Sequence, residues 1–181
     1  MRVTRNNGFT LIELLIVVAL IGIIAAIGIP GLLRARMSGN EASAVGSLRA
    51  ILSSQQTYAS SCANGFYATT LPILGSAPAG SSPFLSPDLS AAAIVVKSGY
   101  RLTMTEGSDS LPATRDACNP LGVAADLGSS YYATNFPLSV NVTGSRYFWA
   151  NALGTIYADT ANVFGGATAG MSAPGVGTPL Q

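Results

Sequence analysis

One carboxylate, Glu13, stands at the head of a run that carries no charge from Leu14 to Leu33. A charge at mid-bilayer costs about 2.5–3.5 kcal/mol on insertion scales, so one kept there points to a partner. The chemistry this suggests is ion pairing, because the remaining inventory of reactive groups is thin. There is no histidine, which excludes His-based acid–base and nucleophilic catalysis. The only lysine is Lys97, so no Gly-rich stretch carries the lysine of a phosphate-binding loop. Asp109, Asp116, Asp126 and Asp159 are scattered rather than clustered as a calcium site requires. No catalytic residue, metal or cofactor is assigned, and no enzymatic activity is expected. Two cysteines, Cys62 and Cys118, both follow the apolar run. If that side lies outside the cytoplasm, a disulfide is the default, worth about 4 kcal/mol in the chain-entropy model. Two unpaired buried thiols are the alternative. Asn141-Val142-Thr143 matches the glycosylation acceptor pattern, which is common by chance.

The element that must position Glu13 is a helix. Leu14 to Leu33 is twenty residues, and at about 1.5 Å per residue a helix of that length spans a bilayer core of about 30 Å. Val45, Leu48, Leu52 and Gln55, extended by Ile51 and Tyr58, continue at three- and four-residue steps. One long helix is predicted from about Thr10 to about Ser60. Gly22, Gly28, Gly31 and Gly39 weaken it, and Pro30 predicts a kink. An ordinary secretory signal peptide is an alternative for the apolar run, with Ala26-Ile27-Gly28 as a weak cut site. Ala42-Ser43-Ala44 fits a cut site better but lies beyond Arg34 and Arg36. A plain single-pass anchor is another. Both leave Glu13 unexplained.

Phe66 to Asp88 is rich in Gly, Ser, Pro and Ala and reads as loop. Ile94 to Val96 is a short apolar run. Tyr100, Leu102 and Met104 alternate with Arg101, Thr103 and Thr105, the pattern of a half-buried strand. Ser108 to Gly128 is turn-rich. Tyr131 to Asn135 and Val140 to Thr143 read as strand or extended chain. Arg146 to Ala150 and Thr155 to Asp159 flank a hairpin turn at Asn151-Ala152-Leu153-Gly154. Phe164 to Gln181 is low in complexity and is expected to be a flexible tail. The fold class is therefore α+β: a long, kinked N-terminal helix on a small antiparallel sheet. The expected organisation is a leader at 1–8, an apolar helix at 9–33 and its amphipathic continuation at 34–61. A globular sheet domain at 62–164 and a tail at 165–181 complete it. Tyr131, Tyr132, Tyr147, Phe148 and Trp149 are expected in the core or rim of the sheet, with an adhesive aromatic surface as the alternative. No aromatic lies between Phe9 and Tyr58, which argues against electron conduction through packed helices.

The segment Gly8-Phe9-Thr10-Leu11-Ile12-Glu13-Leu14, behind a short leader with Arg2 and Arg5, resembles the prepilin signature of type IV pilins and type II secretion pseudopilins. The resemblance is specific over about Gly8 to Tyr58 and loose beyond. It implies cleavage after Gly8 by a prepilin peptidase that also N-methylates Phe9. It further implies that Glu13 stays in the helix as an assembly residue, and that filaments can unwind locally near Pro30. Implied partners are copies of the chain, the peptidase/methyltransferase, an inner-membrane assembly platform and, before assembly, the bilayer. The globular part would be periplasmic and later extracellular. Without the leader, seven basic residues face eight acidic ones, so specific nucleic-acid binding is not expected. The function implied is a structural major pilin. A type II secretion pseudopilin and a minor tip pilin acting in adhesion are the alternatives.

Overall fold

The computed structural model of the chain describes residues 8–180. They form two units, the first ending at Arg36 and the second beginning at Met37. One helix, α1 (Leu11–Ser61), is assigned without interruption. From Leu14 to Leu33 it is uncharged and apolar all round. Every residue from Leu11 to Leu33 except Ala25 is exposed, and this stretch is long and apolar enough to cross a membrane. Pro30 lies inside the helix. Its missing N–H leaves the Ala26 carbonyl without the usual donor. Arg2 and Arg5 of the leader lie outside the described residues.

The second unit is α+β. Here α1 carries one buried stripe, Glu41, Ala44, Leu48, Ile51, Gln55 and Tyr58. Val45 and Leu52, expected on that stripe, are half-buried at its margin. The polar members of the stripe are tied by name to the rest of the unit. Both ends of the Gln55 amide bond the backbone of Ala68: Nε2 donates to its carbonyl at 2.6 Å and Oε1 accepts from its N–H at 3.0 Å. The Tyr58 hydroxyl donates to Asn119 Oδ1 at 2.9 Å. Burial pushes the Tyr58 phenol up to about 12. Glu41, 7% exposed, accepts from the N–H and hydroxyl of Ser145 and from Arg146 Nε at 2.8, 2.9 and 2.8 Å.

Beyond α1 come β1 (Tyr67–Ala68), α2 (Leu71–Gly75), α3 (Pro87–Ser90), β2 (Ile94–Lys97), β3 (Tyr100–Glu106), β4 (Leu127–Gly128), β5 (Tyr131–Pro137), β6 (Tyr147–Asn151), β7 (Ile156–Asp159) and β8 (Thr178–Leu180). The antiparallel main sheet has the order β2-β3-β5-β6-β7-β8, and β1 pairs with β4 apart from it. The alternation read in β3 holds: Tyr100, Leu102 and Met104 are buried in one core with Leu48, Ile51 and Tyr58. That core also takes Tyr131, Phe148 and Ile156 from β5, β6 and β7. The β6–β7 connection is the expected turn, with Gly154 at φ 80°, a conformation that favours glycine. Cys62 and Cys118 form a disulfide, which ties the end of α1 to the loop before β4.

Two expectations are corrected. Val140 to Thr143 is not a strand but a turn, in which the N–H groups of Val142 and Thr143 both reach the Ser139 carbonyl. Residues 165–181 are not a free tail as far as the described residue 180. Thr178–Leu180 pairs with β7, and Asp109 accepts from the N–H groups of Gly170 and Met171 at 2.8 and 3.0 Å. The Ser130 hydroxyl, donating to Asp109 at 2.7 Å, and then these two bonds hold the Asp109 carboxyl below the usual range.

Two outcomes test this account on the full chain in detergent. Replacing both cysteines by serine should lower stability by about 2–5 kcal/mol, read by chemical unfolding. Burial raises the Glu41 pKa, but the bonds from Ser145 and Arg146 outweigh it, so the net shift is downward. A depressed carboxylate contributes stability above its unfolded pKa and loses it as pH falls through the folded value. Glu41→Gln should therefore be less stable at neutral pH, by about 2 kcal/mol, and lose less on acidification below pH 4.5.

Candidate functional site at the head of the helix

The residues singled out in sequence meet at the start of α1. Gly8, Phe9 and Thr10 are non-helical and exposed, and helix begins at Leu11. Phe9 is 83% exposed. A Cβ added at Gly8 would meet nothing within 4 Å among the described residues. Thr10 occupies the N-cap position. Its carbonyl accepts from Leu14 N–H at 3.3 Å. Its hydroxyl accepts from the Glu13 N–H and donates to Glu13 Oε2, each at 3.3 Å. A hydroxyl can serve both roles at once. The other oxygen, Oε1, has no donor among the described residues.

This arrangement adds a local reason for Glu13. A carboxylate in the first turn faces the unpaired N–H groups and partial positive charge of the helix start. The Thr-x-x-Glu spacing is a capping-box pattern. Thr10 belongs to the motif and marks the expected helix start, and its spacing to Glu13 adds a capping role that the motif alone does not state. The Glu41–Arg146 pair had no such local signal, since the two lie 105 positions apart.

The other predicted sites do not join this cluster. Pro30 is within α1, and Cys62 and Cys118 are in the second unit. Asn141 is exposed at φ 61° in the turn after β5. Tyr131, Phe148 and Trp149 are buried, whereas Tyr132 and Tyr147 are half-buried. Among the described residues no group of His, Cys, Asp or Glu is placed to hold a metal ion.

Thr10→Ala removes both hydroxyl bonds and should weaken the first turn by about 1 kcal/mol. Faster amide exchange at Leu11 to Leu14, with exchange in the sheet unchanged, is the expected reading.

Residues 3–29 match the family described as the prokaryotic N-terminal methylation motif. The chain is also similar to the type IV major pilin protein PilA of Myxococcus xanthus (strain DK1622), at 46% identity over 54 residues. That alignment takes in 30% of this chain and 24% of the relative, so the match spans about a quarter of the curated protein's length. No solved structure matches the chain. A glycine, a following phenylalanine and a capped glutamate at the head of an exposed apolar helix thus coincide with the segment that matches the prokaryotic N-terminal methylation motif and is similar to a type IV major pilin.

Proposed function

We propose that the chain is the structural subunit of a type IV pilus, assembled by packing the N-terminal apolar helices of many copies. The observation that carries this is the bare first-unit surface. Fifteen Leu, Ile and Val side chains between Leu11 and Leu33 are exposed. Lipid covers them before assembly and like helices cover them afterwards. Gly22, Gly28 and Gly31 leave open space on the helix, which lets another helix approach closely.

In this reading a prepilin peptidase cuts between Gly8 and Phe9 and methylates the new amine. The Phe9 amine of one copy then pairs with Glu13 of a neighbour, through the carboxylate oxygen that Thr10 leaves free. In a low-dielectric surround such a pair attracts far more strongly than in water. The second unit stands on the periplasmic side before assembly and is extracellular in the fibre. Pro30 is the place where α1 bends or unwinds. An inner-membrane platform moves the subunits from the bilayer into the fibre. The chain has a structural role and no catalysis of its own. The relative similar over the N-terminal segment is designated a major pilin, which supports a pilin subunit; a type II secretion pseudopilin and a minor tip pilin are the alternative readings.

The test combines filament imaging with amino-terminal mass analysis. Long surface fibres built of this chain should begin at N-methylated Phe9. Glu13→Ala should leave cleavage intact but cut fibre yield at least about tenfold, the scale of losing one well-placed ion pair. Assembled material beginning at Met1, or normal fibres from Glu13→Ala, overturns the reading.

A further inference from the structure

The face of the main sheet turned away from α1 is unevenly covered. Across four strands one rung reads Arg101, Phe136, Tyr147 and Asp159, since Arg101 pairs with Phe136 and Tyr147 with Asp159. The adjacent rung holds Trp149 opposite Tyr157. Trp149 is fully buried, stacked against Phe164 at 6.4 Å with its Nε1 donating to the Ala167 carbonyl. The C-terminal segment thus covers Trp149 but leaves the Phe136–Tyr147 pair half-exposed.

These two rings meet edge to face, with centroids 5.3 Å apart and planes at 74°. Together with Arg101, Pro137, Leu138 and Asn162 they line a cleft of about 250 Å³. We propose that this cleft binds a single carboxylated sugar residue, such as a hexuronate at a glycan end or branch. Its volume is just below the range of about 300–1,000 Å³ typical of small-molecule pockets, so one ring fills it. Two half-exposed aromatic rings offer an apolar wall to the C–H face of a pyranose. Asn162 is exposed at the rim and has both a donor and an acceptor for ring hydroxyls.

Arg101 selects the charge. It is exposed and, among the described residues, takes part in neither of the ion pairs, Lys97–Asp88 and Arg146–Glu41. Among the described residues no carboxylate lines the cleft. Asp159, beside Tyr147 in register, lines a separate hollow together with Arg146. A lone guanidinium fork matches one carboxylate in bidentate fashion. It is too little charge for a polyanion such as nucleic acid, whose binding draws on many cations.

The full mature chain in detergent micelles is titrated with methyl glucuronide and, separately, methyl glucoside, and followed by saturation-transfer NMR. Glucuronide should bind in the millimolar range and glucoside about tenfold more weakly. Arg101→Gln, at an exposed site that packing does not constrain, should reduce glucuronide to the glucoside level. Tyr147→Leu should lose both. Absence of glucuronide binding, equal affinity for the two sugars, or unchanged binding by a folded Arg101→Gln chain each overturns the proposal.

Discussion

Everything in the first unit follows from apolar surface that the chain leaves bare. Burying a Leu, Ile or Val side chain is worth about 1.5–3 kcal/mol. Fifteen such side chains are still exposed between Leu11 and Leu33. Even at half of that value each, the sum is on the order of 15 kcal/mol, comparable with the whole net stability of a domain. A monomer in water cannot tolerate this. In the proposed assembly, lipid and then copies of the helix cover this surface.

That constraint does not by itself say which cover wins. Lipid tails are as apolar as leucine, so moving the helix from bilayer to fibre gains little from the hydrophobic effect. The choice must rest on packing and on the few polar groups in the segment. This is the physical place of Glu13 in the proposed assembly. Among the described residues, its carboxylate has the Thr10 hydroxyl and the helix start. Against a neighbour it gains an ammonium. Once the fibre is in water the balance changes, because separating helices would again expose all fifteen side chains. On that proposal, assembly is close to neutral in the membrane and strongly one-sided outside it.

The features readable in sequence were those with a short period. The apolar run, the three-and-four spacing of α1 and the alternation in β3 each repeat within a few residues, and each appears where expected. So does the β6–β7 turn, which a single Gly154 marks. Long-range pairing left no such trace. Nothing near Glu41 announces Ser145 and Arg146, and nothing near Gln55 announces the backbone of Ala68. The Val140–Thr143 segment looked extended because β-branched residues favour strands. The bonds to Ser139 close it into a turn instead, a local competition that composition does not reveal.

The C-terminal segment shows the same limit from the other side. Gly, Ala and Ser in 165–177 have little to bury, so composition predicts disorder. The order is imposed from the sheet, by side chains that bond to the segment's backbone. Trp149 donates to the carbonyl of Ala167, Asn151 to those of Ala169 and Ser172, and Asp109 accepts from Gly170 and Met171. The small residues then become a requirement. A Cβ at Gly170 would collide with Ser130 and the Tyr131 backbone, and one at Gly177 with the Phe164 ring. A segment that lies this close can cover Trp149 without contributing much apolar surface of its own. Phe136 and Tyr147 lie beyond its reach, so the open aromatic pair is a consequence of where those backbone bonds end.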